Sequence, residues 1–338
     1  MSQLAKGKWL FAALGILISL FFLWVSFRSL DPELVLANIG KANGGLLLLA
    51  AGVYFSALAA ISYRWYFVLR SVRNIPGLRL MPLVIICYMG NNIYPFRTGE
   101  ILRIFLLQRD HAVPFARSTA TVFVERIFDG LTMIGFVLIG LLFVDVQSIP
   151  VRTVATIGAP LFLIALILFW VLASQPILMR WTAGLFTRPL PGKLREVVLH
   201  LTEDVIQGMG ALRTPADVLG AAILSILSWM IEAGVYWLVA FAFGFNLSYP
   251  VMLLTVGAVN LAGLIPSSPG QIGVYEFFVS TVLMAVGIAN AEAKAYALVV
   301  HMVIWLPVTL FGAFLLLRRG LSPTMLARAN SLESEMAS

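Results

Sequence analysis

Long, uninterrupted apolar segments are the feature of this sequence that most limits its fold. Six of them are predicted to be complete membrane-crossing helices, at residues 9–27, 45–69, 118–144, 154–173, 215–243 and 292–317. Each is close to or above the length of about 20 residues that a helix needs to cross about 30 Å of hydrocarbon. Their apolar residues are continuous and do not alternate with polar ones, which argues against barrel strands. The sequence therefore predicts an all-α, polytopic membrane protein.

Composition argues against a water-soluble enzyme. Charged residues make up 12% of the 338 residues and hydrophobic residues 60%, whereas soluble domains carry about 25% charged residues. The net charge of +7 does not indicate nucleic-acid binding, because the basic residues lie at the ends of apolar segments. The sequence contains no Walker A loop, dinucleotide fingerprint, His-Glu-x-x-His or Cys-x-x-Cys motif. We expect no enzymatic activity, no cofactor or metal, and no nucleic-acid partner.

Two further apolar regions, 80–108 and 250–288, are interrupted by Pro, Gly and polar residues. If each region returns to the side from which it entered, sixteen Lys and Arg residues, Arg64 among them, face the cytoplasm and only four face outward. Making either region cross the membrane would invert everything after it and remove this positive-inside bias. We therefore expect two re-entrant pairs of half-helices, with both termini in the cytoplasm of a prokaryotic cell.

The order of these segments predicts an inverted repeat. A span, a re-entrant pair and a second span occur twice, in opposite orientations, and both breaks contain Pro-x-x-x-Gly, at Pro95–Gly99 and Pro266–Gly270. Inverted repeats with interrupted helices are typical of transporters. We treat the chain as one integral membrane domain, 1–338. Its parts are a signal-anchor helix and loop (1–44), repeat 1 (45–144), a connecting span plus amphipathic inner-surface helix (145–214), repeat 2 (215–319) and a cytoplasmic tail (320–338).

The first break and the span after it concentrate charge. Thr98 is expected to cap a half-helix that starts at Gly99, whose free N–H groups favour an anion. Charged residues inside a membrane are costly, so they must pair or meet water. They are Arg97, Glu100, Arg103, Glu125, Arg126 and Asp129. Two interpretations stay open: a salt-bridge cluster that locks the hairpin, or a cluster in which at least one Arg binds an anionic headgroup.

The second break predicts a helix start. Ser268-Pro269-Gly270-Gln271 has the spacing of a capping box with Pro at the first helical position. Gly270 and Gly273 allow another backbone or a ligand to come close. Glu276 on this half-helix and Glu232 in the preceding span are either hydrogen-bonded structural acids or part of a functional charge network. His301 is expected to be a helix–helix hydrogen-bond partner.

Three ordered motifs resemble a known family. They are Asn92-x-x-Pro95-x-Arg97-x-Gly99-Glu100-x-x-Arg103, then Glu125-Arg126-x-x-Asp129, then Ile265-Pro266-Ser267-Ser268-Pro269-Gly270-x-Ile272-Gly273-x-x-Glu276. Together they resemble the lysylphosphatidylglycerol synthase transmembrane-region family. The resemblance implies a prokaryotic cytoplasmic-membrane protein that moves an anionic or modified lipid between leaflets. The aminoacyl-transferase domain of the synthases is not found here, so we expect a stand-alone member that does not transfer lysine from tRNA.

The sequence thus predicts a polytopic helical bundle with about six spans and two re-entrant hairpins in an inverted repeat, acting as a lipid flippase or transporter. Its partner would be an anionic phospholipid or a polyprenyl-phosphate lipid, and self-association stays open. An ion-coupled transporter of a small anionic solute and a non-transporting accessory subunit are the alternatives. The candidate headgroup residues are Arg97, Arg103, Arg126, Thr98, Gly99, Ser268 and Gly270. The charge network comprises Glu100, Glu125, Asp129, Glu232 and Glu276, and the breaks are shaped by Asn92, Pro95, Pro266, Pro269 and Gly273.

Overall fold

The computed structural model describes residues 15–25, 28, 32–94, 98–144, 160, 164, 175–188, 191–209, 214–263 and 267–320. Within these ranges the regular structure is helical and no strand occurs, which confirms the predicted all-α class. The helices are α1 (Gly15–Val25), α2 (Pro32–Lys41), α3 (Gly44–Leu69), α4 (Gly77–Ile93), α5 (Gly99–His111), α6 (Phe115–Phe143), α7 (Pro176–Phe186), α8 (Gly192–Met209), α9 (Pro215–Ala242), α10 (Tyr249–Ala262), α11 (Val274–Ala285) and α12 (Asn290–Arg318).

Four helices are long and apolar enough to cross a membrane. These are α3, α6, α9 and α12, with 26, 29, 28 and 29 residues. They coincide with four of the six predicted spans. Of the other two, α1 covers the described part of 9–27, and 154–173 lies almost entirely outside the described residues. The chain is therefore a polytopic helical membrane protein.

Each predicted broken region is a pair of half-helices. The helices α4, α5, α10 and α11 contain 17, 13, 14 and 12 residues. At about 1.5 Å per residue none of them reaches about 30 Å. Within each pair the two half-helices pack on one another. A Cβ added at Gly99 would overlap the carbonyl oxygen of Cys87, so α5 starts directly against the last turns of α4.

The two repeats pack as an inverted pair. Their first helices, α3 and α9, run antiparallel, because the N–H of Asn43 donates to the carbonyl of Ala242 at 2.8 Å at one end and Arg70 pairs with Asp217 at the other. The contacts between repeats are also reciprocal: α4 packs on α12, as α10 packs on α6. Each half-helix pair is therefore held by the last helix of the other repeat.

The start of the second half-helix differs from the prediction. Ser268 makes no side-chain cap bond and is followed by a short 3₁₀ turn, Pro269–Gln271, so the predicted capping box is wrong. Gly270 and Gln271 have φ of +67° and +58°, which ends the turn after three residues. The longer helix α11 begins beyond Gly273, whose N–H donates to the Glu276 carboxylate at 2.6 Å. Glu276, rather than Gln271, is the residue that reaches back to the helix start.

Helix α1 covers this second break. The Ser19 hydroxyl accepts the N–H of Ser268 at 2.8 Å, and a Cβ on Gly273 would lie 2.5 Å from the carbonyl oxygen of Ser19. Gly273 also has a φ of +93°, a conformation that side chains with a Cβ rarely adopt. Its backbone angle and its close neighbour therefore both favour glycine.

Two further helices follow the first repeat. Thr214 and Asp217 form a reciprocal capping box at the start of α9. The predicted amphipathic helix corresponds to α8, which packs on α6 and α7. Its position on the inner membrane surface stays a prediction.

Candidate functional site

A cluster of six charged side chains lies where α3, α5 and α6 meet. We call it the charged cluster, and it contains three arginines and three acids: Arg64, Glu100, Arg103, Glu125, Arg126 and Asp129. Five of the six were predicted as site residues. The formal charges of the cluster balance, as the cost of burying unpaired charge requires.

Arg64 is the member that the sequence reasoning missed. It is fully buried, forms an ion pair with Asp129, donates to the Ser225 hydroxyl of α9 at 3.0 Å and lies 3.5 Å from Glu125. The prediction that Arg64 belongs to the basic residues of the cytoplasmic face is wrong, because its side chain is buried between helices. Arg64 lies five residues before the end of α3, at Leu69, and within the predicted span, which was the available signal of burial.

Arg103 is enclosed by its partners. Its side chain is 1% exposed and donates to Glu125 at 2.7 Å and to Glu100 at 3.1 Å. The guanidinium carbon lies 4.3 Å from the ring centroid of Trp65, within cation–π range. Removing one partner of such a buried pair costs about 3–5 kcal/mol. Arg103 therefore acts in holding α5 to α6 and α3.

Arg126 differs from the other two arginines. Its side chain is 34% exposed, and its closest acid contacts are 3.3 Å to Asp129 and 3.5 Å to Glu100. These distances are at or beyond the long end of charge-assisted hydrogen bonds, which are about 2.7–2.9 Å. Its Nε, like those of Arg64 and Arg103, is buried without a hydrogen-bond partner among the described residues. Its exposure and its long acid contacts therefore distinguish Arg126 and place it at the open edge of the cluster.

Asp129 links the cluster to the second repeat. It accepts the indole N–H of Trp229 of α9 at 2.6 Å, in addition to its pairing with Arg64 and Arg126. The oxygen Oε1 of Glu125 accepts no hydrogen bond within the described ranges, although it lies 3.5 Å from Arg64. The cluster is therefore buried on the side of α3 and α9 and open on the side of Arg126.

The two breaks meet against α12. Asn92, at the end of α4, donates to the Thr309 hydroxyl at 2.9 Å and to the carbonyl of Trp305 at 3.4 Å. A Cβ on Gly270 would lie 3.3 Å from the Asn92 carbonyl and 2.8 Å from the Trp305 indole nitrogen. The predicted site residues Asn92 and Gly270 are thus neighbours.

Polar groups near the first break have unused bonding capacity. The hydroxyl of Thr98 and the side-chain oxygen of Asn91 are buried without a hydrogen-bond partner among the described residues. Thr98 does precede α5, as predicted, but it makes no side-chain cap bond. The predicted site residues Arg97, Pro95 and Pro266 lie outside the described residues.

The described part of the second repeat carries a hydrogen-bonded network of His301, Glu276 and tyrosines, which we call the His–Tyr network. His301 of α12 lies 2.5 Å from Glu276 of α11, and the Tyr275 ring stacks on His301 with centroids 4.1 Å apart. The Tyr275 hydroxyl bonds that of Tyr236 at 2.5 Å, and the Tyr296 hydroxyl donates to the Tyr236 carbonyl at 2.7 Å. His301 is therefore a helix–helix hydrogen-bond partner, as the sequence predicts.

The structure divides the predicted site residues into separate groups. Arg103, Arg126, Glu100, Glu125 and Asp129 come together in the charged cluster. Asn92 and Gly270 meet at the junction of the breaks, with Thr98 and Gly99 at the start of α5. Ser268 and Gly273 lie against α1, and Pro269 opens the 3₁₀ turn. Glu276 pairs with His301, and Glu232 is buried on α9.

Comparison with known proteins places this arrangement among membrane proteins. Residues 12–312 match the family model described as the lysylphosphatidylglycerol synthase TM region. A UPF0104 membrane protein of Methanothermobacter thermautotrophicus is 25% identical over 318 residues, covering 90% of this chain and 92% of that protein. The UPF0104 membrane protein PH1989 of Pyrococcus horikoshii is 22% identical over 329 residues, covering 92% of this chain and 97% of that protein.

One similar protein is longer. The protein named glycosyltransferase AglD of Haloferax volcanii is 26% identical over 321 residues. The match covers 86% of this chain and 51% of the Haloferax protein, so the chain spans about half the length of that relative.

Proposed function

Because the chain belongs to the lysylphosphatidylglycerol synthase transmembrane-region family, we propose that it is a lipid transporter. It moves a lipid with an anionic headgroup between the leaflets of the prokaryotic cytoplasmic membrane, with both termini in the cytoplasm. The substrate is an anionic phospholipid or a polyprenyl-phosphate lipid, and the acyl chains stay in the surrounding bilayer.

The unequal exposure of the three arginines is the observation that carries this proposal. Arg64 and Arg103 are 0% and 1% exposed and engaged by acids, whereas Arg126 is 34% exposed with long contacts. A guanidinium can donate two parallel hydrogen bonds to one phosphate. We assign headgroup binding to Arg126 and a structural role to Arg64 and Arg103, so both interpretations of the cluster hold for different members.

The junction of the breaks gives the headgroup a route near the middle of the protein. Non-helical backbone at membrane depth is tolerated only where protein buries it or where it lines a wet cavity. The unused polar atoms of Asn91 and Thr98 lie beside Gly99, the first residue of α5, which directly precedes Glu100 of the cluster. Half-helix ends that meet between inverted repeats are a recurring arrangement in transporters.

A mutation at Arg126 tests the proposal. The purified chain is reconstituted in vesicles that contain fluorescent phosphatidylglycerol or, separately, fluorescent phosphatidylcholine. We expect selective movement of the anionic lipid, and a loss of about tenfold or more in Arg126→Lys, since Lys keeps the charge without the planar fork. The melting temperature should change little, because Arg126 is partly exposed.

Matched variants and substrates complete the test. Arg180→Lys changes an exposed arginine that also pairs with a glutamate, and it should transport normally. Equal movement of both lipids, or loss of activity only in proportion to loss of stability, contradicts headgroup binding at Arg126. Uptake of inorganic phosphate without lipid movement would instead favour the transporter of small anionic solutes.

A second candidate function follows from the Haloferax relative, whose name describes a glycosyltransferase. Under this alternative the chain is a membrane subunit that supports sugar transfer to a lipid without moving lipid itself. The vesicle experiment separates the two, because an accessory subunit leaves fluorescent lipid in its original leaflet.

A further inference from the structure

Glu232 is an exception among the buried acids of the described residues. Glu125, Asp129 and Asp217 pair with arginine, and Glu276 pairs with His301. Glu232 is 5% exposed, yet no Lys, Arg or His of the described part of the chain forms an ion pair with it. A lone carboxylate in an apolar interior is costly, and such a group avoids the cost by binding a proton.

The neighbours of Glu232 come from several helices. Its carboxyl bonds the side-chain amide of Asn260 on α10, and the charged group that faces it is the acid Asp129 on α6. Arg64 of α3 touches α9 at Ser225, two turns earlier. The other titratable groups that interact with it are tyrosines: Tyr54 of α3, Tyr88 of α4, Tyr236 of α9 and Tyr275 of α11. Glu232 thus sits in a polar but uncharged setting, apart from Asp129.

The position of Glu232 connects the two repeats. It lies one turn beyond Trp229, which donates to Asp129 of the charged cluster, and one turn before Tyr236, which bonds Tyr275 of the second half-helix pair. Its partner Asn260 lies in the last turn of α10, before the second break. A change of charge at Glu232 is therefore felt at the charged cluster and at the second break.

We propose that Glu232 is a proton-binding site that couples proton movement to movement of the anionic headgroup. This inference rests on the proposed function and adds the coupling ion. When Glu232 holds a proton, the charged cluster is balanced and Arg126 can accept a phosphate. When Glu232 is ionised, it adds a negative charge beside Asp129, which opposes anion binding. Proton and headgroup therefore bind together, and by linkage each increases the affinity of the other.

The first experiment measures proton uptake. Short-chain phosphatidylglycerol is added to the full chain in weakly buffered detergent solution that contains a pH indicator. At a pH high enough for Glu232 to be ionised in the lipid-free protein, we expect uptake of up to about one proton per chain as the lipid binds, and no uptake in Glu232→Gln at saturating lipid. Uptake by Glu232→Gln equal to that of the unmodified protein overturns the proposal, as does binding by the unmodified protein without uptake at every pH tested.

An infrared measurement tests proton binding at Glu232 in the absence of lipid. A protonated carboxyl has a C=O stretching band that a carboxylate lacks. At a pH low enough for Glu232 to hold its proton without lipid, one such band of the unmodified protein should be missing in Glu232→Gln. Absence of any difference between the two proteins overturns proton binding at Glu232. If the unmodified protein binds and moves no lipid at all, the proposed function fails while the infrared result still decides the state of Glu232.

Transport in vesicles gives the coupling ratio. One proton moving with one singly charged lipid carries no net charge, so an imposed pH difference should drive lipid asymmetry and a membrane potential should not. The limiting ratio between leaflets is about tenfold per pH unit for one-to-one coupling. Movement of lipid that ignores the pH difference overturns the coupling but leaves the lipid-transport proposal standing.

A double variant tests the rival explanation that Glu232 is ionised and paired. Arg97 is the basic residue of the first break and lies outside the described residues. If Glu232→Gln lowers the melting temperature and Arg97→Gln restores it, the carboxylate is a structural partner of that arginine and the proposal is wrong. We expect Glu232→Gln alone to remain stable, since Gln keeps the shape and the hydrogen bond to Asn260.

Discussion

The two repeats share one architecture but not one chemistry. Pro95 and Pro266 are 171 residues apart, and the same offset aligns α3 with α9, whereas α12 begins four residues later than this offset places it from α6. Arg64 then corresponds to Val235, and, with the further four residues, Glu125, Arg126 and Asp129 correspond to Val300, His301 and Ile304. In the described residues, the first repeat is held by buried arginine–acid pairs, and the second by apolar packing and the His–Tyr network.

The two repeats therefore share a fold, but only the first repeat carries the candidate headgroup site. Two ionic clusters would double the cost of buried charge without a second headgroup to bind. A single cluster with one open arginine instead defines one site. The second repeat contributes the surfaces that close around it, through Ser225 and Trp229.

The largest effect is expected at Arg64. Arg64→Met removes the partner of Asp129 and leaves that acid partly uncompensated, which should lower stability by about 3–5 kcal/mol. The corresponding change in the second repeat, Val235→Ala, opens only a cavity and should cost about 2 kcal/mol. Thermal unfolding in detergent measures both. Adding Asp129→Asn to Arg64→Met should recover part of the loss, and equal stability of Arg64→Met and the unmodified protein would refute the ionic role.

Alanine substitutions at Gly99 and Gly270, which correspond in the two breaks, should lower stability for different reasons. A methyl group at Gly99 would overlap backbone of α4, so Gly99→Ala forces the half-helices apart and should cost about 3 kcal/mol or more. Gly270→Ala meets the indole of Trp305 and a φ of +67°, and the backbone penalty is about 1–2 kcal/mol. Melting temperatures of the two variants give the order. A larger loss in Gly270→Ala would show that the second break is the tighter of the two.

Substitution in the His–Tyr network of the second repeat should lower stability less than substitution in the charged cluster. His301→Phe keeps a ring against Tyr275 and removes the bond to Glu276, which still accepts the N–H of Gly273. We expect a loss of about 1–3 kcal/mol, the cost of an unsatisfied buried group. A loss as large as that of Arg64→Met would mean that His301 and Glu276 form a charged pair and that the two repeats are alike.

The smallest effect is expected for an ion pair outside the spans. Arg180 of α7 donates to Glu203 of α8 at 2.6 and 2.9 Å, and both side chains are largely exposed. The hydrogen bond from Arg180 holds the pKa of Glu203 below its usual range. Any stability from this pair is present above the ordinary Glu pKa and lost as the pH falls through the lowered value. Arg180→Gln should leave the melting temperature unchanged at neutral pH, since surface pairs contribute little.

A clear drop in stability for Arg180→Gln at neutral pH would show that this exposed ion pair stabilises the protein as the buried pairs of the charged cluster do. The same measurement repeated toward acidic pH checks the sign. Any small excess stability of the unmodified protein over the variant at neutral pH should disappear as Glu203 is protonated.

Much of the fold could be predicted because the length of each apolar segment indicates whether it can cross the membrane, and the positions of Lys and Arg indicate where each span ends. The predicted spans 45–69 and 215–243 agree with α3 and α9 to within a residue at each end. Arg64 was misplaced because counting basic residues treats every arginine near the end of a span as solvent-exposed. Whether an arginine near a span end is buried depends on which acid lies across the interface, and Asp129 is 65 residues away in sequence.

The site was harder to predict than the fold. The spacing of the motifs predicted that Arg103, Glu125 and Asp129 belong to one charged site. The exposed fraction of each side chain, which distinguishes Arg126, depends on how the helices pack and could not be read from the motifs. The prediction of a capping box at Ser268 was wrong because it used only the local spacing of residues. The backbone there is held by a distant contact, the hydrogen bond from Ser268 to Ser19 of α1. Local propensity is overridden where distant segments fix the backbone.

The reciprocal packing of the repeats has a consequence for how the protein is made. The half-helix α4 is held by α12, where Asn92 bonds Thr309 across 217 residues of sequence. At a synthesis rate of about 5–20 residues per second, the ribosome needs roughly 10–45 s to deliver that partner. Until then the tip of the first hairpin has polar groups without their final acceptors in the bilayer. The first repeat therefore cannot mature as soon as it is inserted: its completion waits for the last helix to leave the ribosome.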